Sequence, residues 1–264
     1  MTCKVCSSSD IIGLFVKKVL NKYEVQYYQC QNCQFIFIDN PYWLKEAYSS
    51  VITSLDIGLL SRNLNFKPIT KSLIKLFYNK NGEFLDYAGG YGVFTRIMRD
   101  AGFNFIREDF QCENIFAKDF DITNFKNKGF FELLTAFEVF EHLQNPIEEI
   151  GKMLKFSNSI LFSTELQPEN QQVLSNWWYW VPETGQHISF YSLKSLKIIA
   201  RKFNLNLITN NRNIHLLTNK KKIGNFSFKM ITKYRIALVI DKVLKNNSSL
   251  LPVDFKFIKD KINK

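Results

Sequence analysis

The chain has 264 residues, 46% of them hydrophobic and 22% charged, enough for one sizeable α/β domain with smaller appendages. Its formal charge is +11, but twelve Lys or Arg against three Asp after residue 219 put nine of those charges at the end of the chain, and the near-neutral front argues against a nucleic-acid groove. The apolar runs fall far short of the roughly 20 residues that span a bilayer, and Met1-Thr2-Cys3-Lys4 does not begin a secretory signal, so a cytoplasmic protein without a transmembrane segment is expected.

Residues 1–40 carry Cys3-Lys-Val-Cys6 and Cys30-Gln-Asn-Cys33. Each CxxC turn places two thiolates on one side, and two such turns complete a tetrahedral structural zinc site. Disulfides fit poorly without a secretory signal, and two CxxC pairs fit poorly with a redox motif. Strands around a turn at Asn21-Lys22 complete a zinc-ribbon outline. Residues 41–82 form a connector, with a helix beginning at Pro68 on the spacing Ile69, Leu73, Ile74 and Phe77. Tyr42, Trp43 and Tyr48 read either as a substrate mouth or as packing.

The region 83–219 opens on the run Glu83 to Tyr87, suited to a buried strand, then Ala88-Gly89-Gly90-Tyr91-Gly92 and an amphipathic helix pattern. Glycines let a ligand approach the backbone, the helix start offers N–H groups, and Asp86 can accept hydrogen bonds. A second strand, from Asn104, ends in an acid about twenty residues later, Asp109 or its neighbour Glu108, placed to hold ribose hydroxyls. Phe116 to Asp121 supply the next loop or short strand. Then comes the buried run Phe130 to Ala136, followed by Phe137-Glu138-Val-Phe-Glu141-His142 and Asn145-Pro146.

With these pieces in this order, residues 70–217 resemble the class I S-adenosylmethionine-dependent methyltransferases. The resemblance implies a Rossmann-like α/β sheet with helices on both faces, preceded by the ribbon and followed by a basic helical tail. It implies that Asp86, Ala88, Gly89, Gly90 and Gly92 face the methionine part of S-adenosylmethionine, that Asp109 holds the ribose, and that Phe137 and Glu138 also bind the cofactor, with Glu138, at the border of the reacting centre, a catalytic candidate as well. The family's turn reads acid-x-Gly-x-Gly-x-Gly, and Ala88 replaces its first glycine, a substitution alanine tolerates unless φ is positive. Glu141 and His142 read as structural helix-capping groups or as catalytic ones, with His142 kept among the catalytic candidates.

After the expected fifth strand, Ser159 to Thr164, stand Trp177, Trp178, Tyr179 and Trp180, then His187-Ile-Ser-Phe-Tyr191-Ser. Aromatic faces beside polar groups suit a sugar ring, which marks Trp177, Trp178, Tyr179 and Tyr191 as substrate-binding. His187 is the candidate general base, because imidazole titrates near neutral pH; the alternative is a loop histidine bonded only to backbone. His215, inside an apolar strand, reads as core. The ribbon, the core and the His-x-x-x-Tyr-Ser segment together are similar to nucleotide-sugar methyltransferases of deoxysugar and surface-glycan pathways. The resemblance implies methylation of a sugar or nucleotide-linked sugar, and the shortness of the chain favours oxygen over carbon as the site. Another small phosphorylated or natural-product acceptor, or a non-enzymatic zinc-ribbon interaction protein, are the competing readings. The basic tail, 220–264, reads as a solvated helical appendage, a clamp for an anionic substrate, or a peripheral contact with an acidic membrane surface.

Overall fold

The structure, a computed structural model, describes residues 1–49, 52–125 and 129–263. In chain order its first elements are β1 (Ile11–Val19), β2 (Tyr23–Cys30), β3 (Ile36–Phe37), α1 (Leu44–Ala47), α2 (Leu59–Phe77), β4 (Glu83–Tyr87), α3 (Val93–Asp100) and β5 (Asn104–Glu108). The middle of the chain gives β6 (Leu133–Ala136), α4 (Pro146–Met153), β7 (Ser159–Ser163), α5 (Gln171–Ser175), β8 (Ser189–Phe190) and α6 (Leu193–Lys202). Then follow β9 (Asn206–Thr209), β10 (Ile214–Thr218), α7 (Asn225–Ile231), α8 (Tyr234–Val243) and α9 (Leu251–Ile262).

One sheet has six strands in the order β5-β4-β6-β7-β10-β9. β4 runs parallel to both β5 and β6, while β9 and β10 are antiparallel. This is the Rossmann-like α/β sheet that the strand and turn pattern implies. Its strands β4 to β7 are buried almost throughout, as a parallel sheet covered by helices requires. The short strand expected near Phe116 to Asp121 is reduced to a single parallel bridge between Arg107 and Asp121.

The chain divides into two compact units, each discontinuous in sequence. The first comprises 1–56, 137–152 and 162–219. Here the ribbon is not a closed module: β1, β2, β3 and β8 form one four-stranded sheet, with Ile36 opposite Phe190 and Phe37 opposite Ser189. Val25, Tyr27 and Ile36 share a core with Trp43, Trp177, Tyr179, Trp180 and Phe190. The aromatic packing is dense, with Trp180 and Phe190 ring centroids 4.4 Å apart and Trp43 donating to the Gly185 carbonyl at 2.9 Å.

The second unit comprises 57–136, 153–161 and 220–264. Its helix α2 starts at Leu59, nine residues before the expected start, and runs through Pro68. Proline removes one backbone donor, but the helix is held by burial from Phe66 to Ile74 and by contacts with α8. Ser72 donates to the Ala237 carbonyl at 3.0 Å, and Asp241 takes ion pairs from Lys71 and Lys75 at 2.7 and 2.6 Å. The basic tail therefore folds as three helices with buried anchors, Phe228, Ile231, Ala237 and Asp254, rather than one solvated helix. Asp254 accepts two bonds from the Arg99 guanidinium, at 2.8 and 2.6 Å. Among the described residues, no helix is long and apolar enough to cross a membrane.

Candidate active site

The candidate residues fall into two groups, one in each unit. In the second unit, β4 delivers Asp86 and then the glycine-rich turn that starts α3. Asp86 is buried, and its carboxylate accepts from the Thr95 and Thr135 hydroxyls, both at 2.9 Å. Burial raises its pKa to about 6, against the lowering effect of those hydroxyls. Ala88, Gly90 and Gly92 all have positive φ, 52°, 54° and 82°. A Cβ on Gly89 would press on the Asp86 carboxylate and the Arg107 stem, whereas one on Gly90 would meet nothing within 4 Å. The turn is thus packed from below and open above Gly90, a cradle a bound nucleoside can approach.

Asp109 closes that cradle. One carboxylate oxygen accepts from the Gly90 N–H at 2.9 Å, the other from the Gln111 and Cys112 N–H groups at 2.8 and 2.9 Å. Arg107, which the motif reading passed over, ties the same loops together. It pairs with Asp121 at 2.7 Å and donates to the carbonyls of Gly90, Cys112 and Asp109. The visible signal was a cation between Ile106 and Glu108 at the end of an apolar strand, where a charge is tolerated only when fully hydrogen-bonded.

In the first unit, the backbone beyond β6 turns sharply at Glu138, which sits in the left-handed region with φ 56°. Such strain in a non-glycine residue persists where the surroundings hold it. Here Ser163 at the end of β7 does so: it accepts from the Glu138 N–H at 2.7 Å and donates to the Glu138 carboxylate at 2.6 Å. Phe137 lies beside it in sequence, partly buried. A 3-10 turn, Phe140–His142, follows, with Glu141 fully buried and His142 partly exposed.

His142 and His187, 45 positions apart, are brought together with ring centroids 5.1 Å apart. The His142 Nδ1 is 3.0 Å from the Gln186 carbonyl, and the His187 Nδ1 is 2.8 Å from the Tyr179 carbonyl. A carbonyl only accepts, so each Nδ1 carries a hydrogen and Nε2 is the nitrogen turned to other partners. Desolvation pushes the His142 pKa down to about 4, keeping that ring neutral at physiological pH. A Glu141 carboxylate oxygen and one ring nitrogen of each histidine all lie within 4.8 Å of one another.

Of the aromatic residues assigned to substrate, Trp177 and Tyr179 belong to the core shared with the ribbon, and Tyr191 is fully buried with its hydroxyl donating to the Phe140 carbonyl at 3.0 Å. Only Trp178 of these four is exposed, at 68%. His215 is a core residue, as its strand pattern implied: it is fully buried between the Thr209 hydroxyl at 2.7 Å and the Thr164 carbonyl at 3.0 Å.

The four ribbon cysteines converge, all as free thiols. Cys3 and Cys33 sulfurs are 3.5 Å apart, as are those of Cys6 and Cys30. A tetrahedral site with Zn–S bonds of about 2.3 Å needs sulfurs roughly 3.8 Å apart, so the donor set fits that ion. The Val5 and Cys33 N–H groups point at the Cys3 and Cys30 sulfurs, at 3.4 and 3.5 Å, as expected for thiolate acceptors.

A family model described as a methyltransferase domain matches residues 40–210. No curated protein matches the chain. Among solved structures, the plantazolicin methyltransferase BpumL, in complex with a monoazolic desmethylPZN analogue and SAH, is 13% identical, covering 67% of this chain and 93% of its own, with a TM-score of 0.48. A putative methyltransferase from Bacillus halodurans is 19% identical over 53% of this chain and 70% of its own, with a TM-score of 0.40. The bifunctional kinase-methyltransferase WbdD is 18% identical over 62% of this chain and 40% of its own, with a TM-score of 0.39.

Proposed function

From the premise that the chain belongs to the methyltransferase-domain family, whose model spans residues 40–210, we propose that this S-adenosylmethionine-dependent methyltransferase methylates a hydroxyl oxygen of a sugar or nucleotide-linked sugar in surface-glycan assembly. The observation that carries the hydroxyl acceptor is the imidazole pair with both Nδ1 atoms fixed on carbonyls, which makes each Nε2 the nitrogen that can take up a proton. The sugar rests on the sequence resemblance of the ribbon, the core and the His187 to Ser192 segment, and on exposed Trp178, whose face suits a sugar ring.

In this reading the cofactor supplies an activated methyl group. The turn from Asp86 through Gly92 would hold its methionine part, and Asp109 with Glu108 its ribose side; Arg107 keeps that loop in shape. The acceptor oxygen is freed of its proton at the His187 Nε2, with the His142 ring beside it, and attacks the methyl in line. The four thiols hold a structural zinc that fixes the ribbon, and through the β3–β8 pairing fixes the backbone two residues beyond His187.

Two experiments test this. Incubation with S-adenosylmethionine and a panel of nucleotide-linked sugars should consume cofactor with at least one of them; consumption only with a non-sugar acceptor would move the assignment there. Metal analysis of the ribbon should find about one zinc per chain, absent after Cys30→Ser; a folded ribbon free of metal would refute the zinc.

A further inference from the structure

We propose that Glu141, His142 and His187 form a second metal site, which takes a divalent first-row cation and through it binds the acceptor hydroxyl. The donor set is two imidazoles and one carboxylate, drawn from a single 3-10 turn and from the segment leading into β8. Their ligand atoms lie within 4.8 Å of one another. Bonds of about 2.1 Å in a tetrahedral site set the ligand atoms roughly 3.4 Å apart, a separation reached by movements of about an ångström.

Three features of the surroundings fit a ligand set better than a packing cluster. First, both histidines donate Nδ1–H to backbone carbonyls, at 3.0 and 2.8 Å; this is the outer bond that orients a metal-bound imidazole and leaves Nε2 to the ion. Second, Glu141, the one carboxylate of the set, is fully buried beside the two imidazoles, where a cation held by all three groups offsets the cost of burying its charge. Third, the backbone just after His187 is fixed, by the Ile188 N–H to the Glu141 carbonyl at 2.9 Å and by the pairing of Ser189 with Phe37. The ligands therefore sit on a braced frame.

Two nitrogens and one oxygen suit manganese, cobalt or zinc more than magnesium or calcium, which prefer oxygen alone. Three protein ligands leave positions for the acceptor's oxygen. This deepens the reading of the site given above and rests on its hydroxyl acceptor: the oxygen binds the cation, its proton passes to water, the O–CH3 bond forms as the S–CH3 bond breaks, and the electron pair of that bond stays on sulfur. With the cation bound, His187 is a ligand in place of the base described above, and the cation lowers the pKa of the hydroxyl.

The test is binding of Mn2+ alone to the zinc-loaded protein, followed by electron paramagnetic resonance. About one Mn2+ per chain should bind, and His187→Asn should weaken it at least tenfold. That variant keeps an N–H for the Tyr179 carbonyl, so it is the safer fold; Glu141→Gln, checked by circular dichroism, is the second. Methyl transfer should fall at least tenfold in chelator and return with Mn2+. Manganese binding without methyl transfer to any acceptor supports the cation and sinks the hydroxyl reading. Methyl transfer that depends on His187 but neither binds nor needs Mn2+, Co2+ or Zn2+ at this site overturns the cation and leaves the hydroxyl reading standing.

Discussion

His142 and His187 meet edge to face, with centroids 5.1 Å apart and planes at 78°. Each is held by a backbone carbonyl, so neither ring is free to turn its Nδ1 toward a substrate. Replacing His187 with alanine should lower turnover by at least about 100-fold, whether the ring takes the proton or holds a cation. Binding of S-adenosylhomocysteine, measured by calorimetry, should stay within about twofold of the parent, since His187 is not among the residues assigned to the cofactor. A variant with near-normal turnover removes His187 from the chemistry.

Ala88 is exposed, and its φ is 52°. A left-handed conformation costs an L-residue about 1 kcal/mol or more. Ala88→Gly should therefore raise stability in denaturant by up to about 1 kcal/mol, less the entropy a glycine loses. Unchanged or lower stability would mean that the turn relaxes out of this conformation.

His215 sets a pH dependence of stability. Burial depresses its pKa from 6.5 to about 4, so between those values the unfolded chain binds a proton that the folded chain does not. Stability from this site is complete above pH 6.5 and is lost as pH falls toward 4, on the order of 3 kcal/mol in all. Asp86, raised from 3.8 to about 6, acts with the opposite sign over a similar range. His215→Gln should be less stable at pH 7.5 but show a flatter loss between pH 6.5 and 4. An equally steep curve would place the acid sensitivity elsewhere.

Asp254 tests whether the basic tail is part of the fold. It is buried, with two bonds from Arg99 and an ion pair from Arg96 at 2.9 Å. Removing one partner of such a pair leaves a buried charge, which costs about 3–5 kcal/mol. Asp254→Ala should lower the melting temperature markedly; a tail that is only a solvated appendage would leave it unchanged.

The sequence made some parts of this molecule readable and hid others for physical reasons. The strand, turn and helix from Glu83 to Asp100 are local patterns, and glycine spacing and period mark them. The CxxC pairs are likewise local, and they converge as expected. The pairing of Ile36 with Phe190 joins segments more than 150 residues apart through two-residue strands, too short for a period to appear. That pairing turns Trp177 and Tyr179 from presumed loop residues into core. The role of Asp109 was half legible: its place at a strand end is a sequence feature, but its bonds to Gly90, Gln111 and Cys112 depend on how the loop folds back. Arg107 and Ser163 bond to backbone atoms of Gly90 and Glu138, 17 and 25 residues away, which no spacing records.

The central claim is methyl transfer to oxygen, and the most direct measurement uses S-adenosylmethionine carrying a 13C methyl group with a panel of nucleotide-linked sugars, read by NMR. The account predicts a new methyl resonance in the range of an ether carbon, coupled to a sugar ring proton, that appears with the parent protein and disappears with His187→Ala. A methyl on carbon or nitrogen, or cofactor left unconsumed with every acceptor, would contradict it.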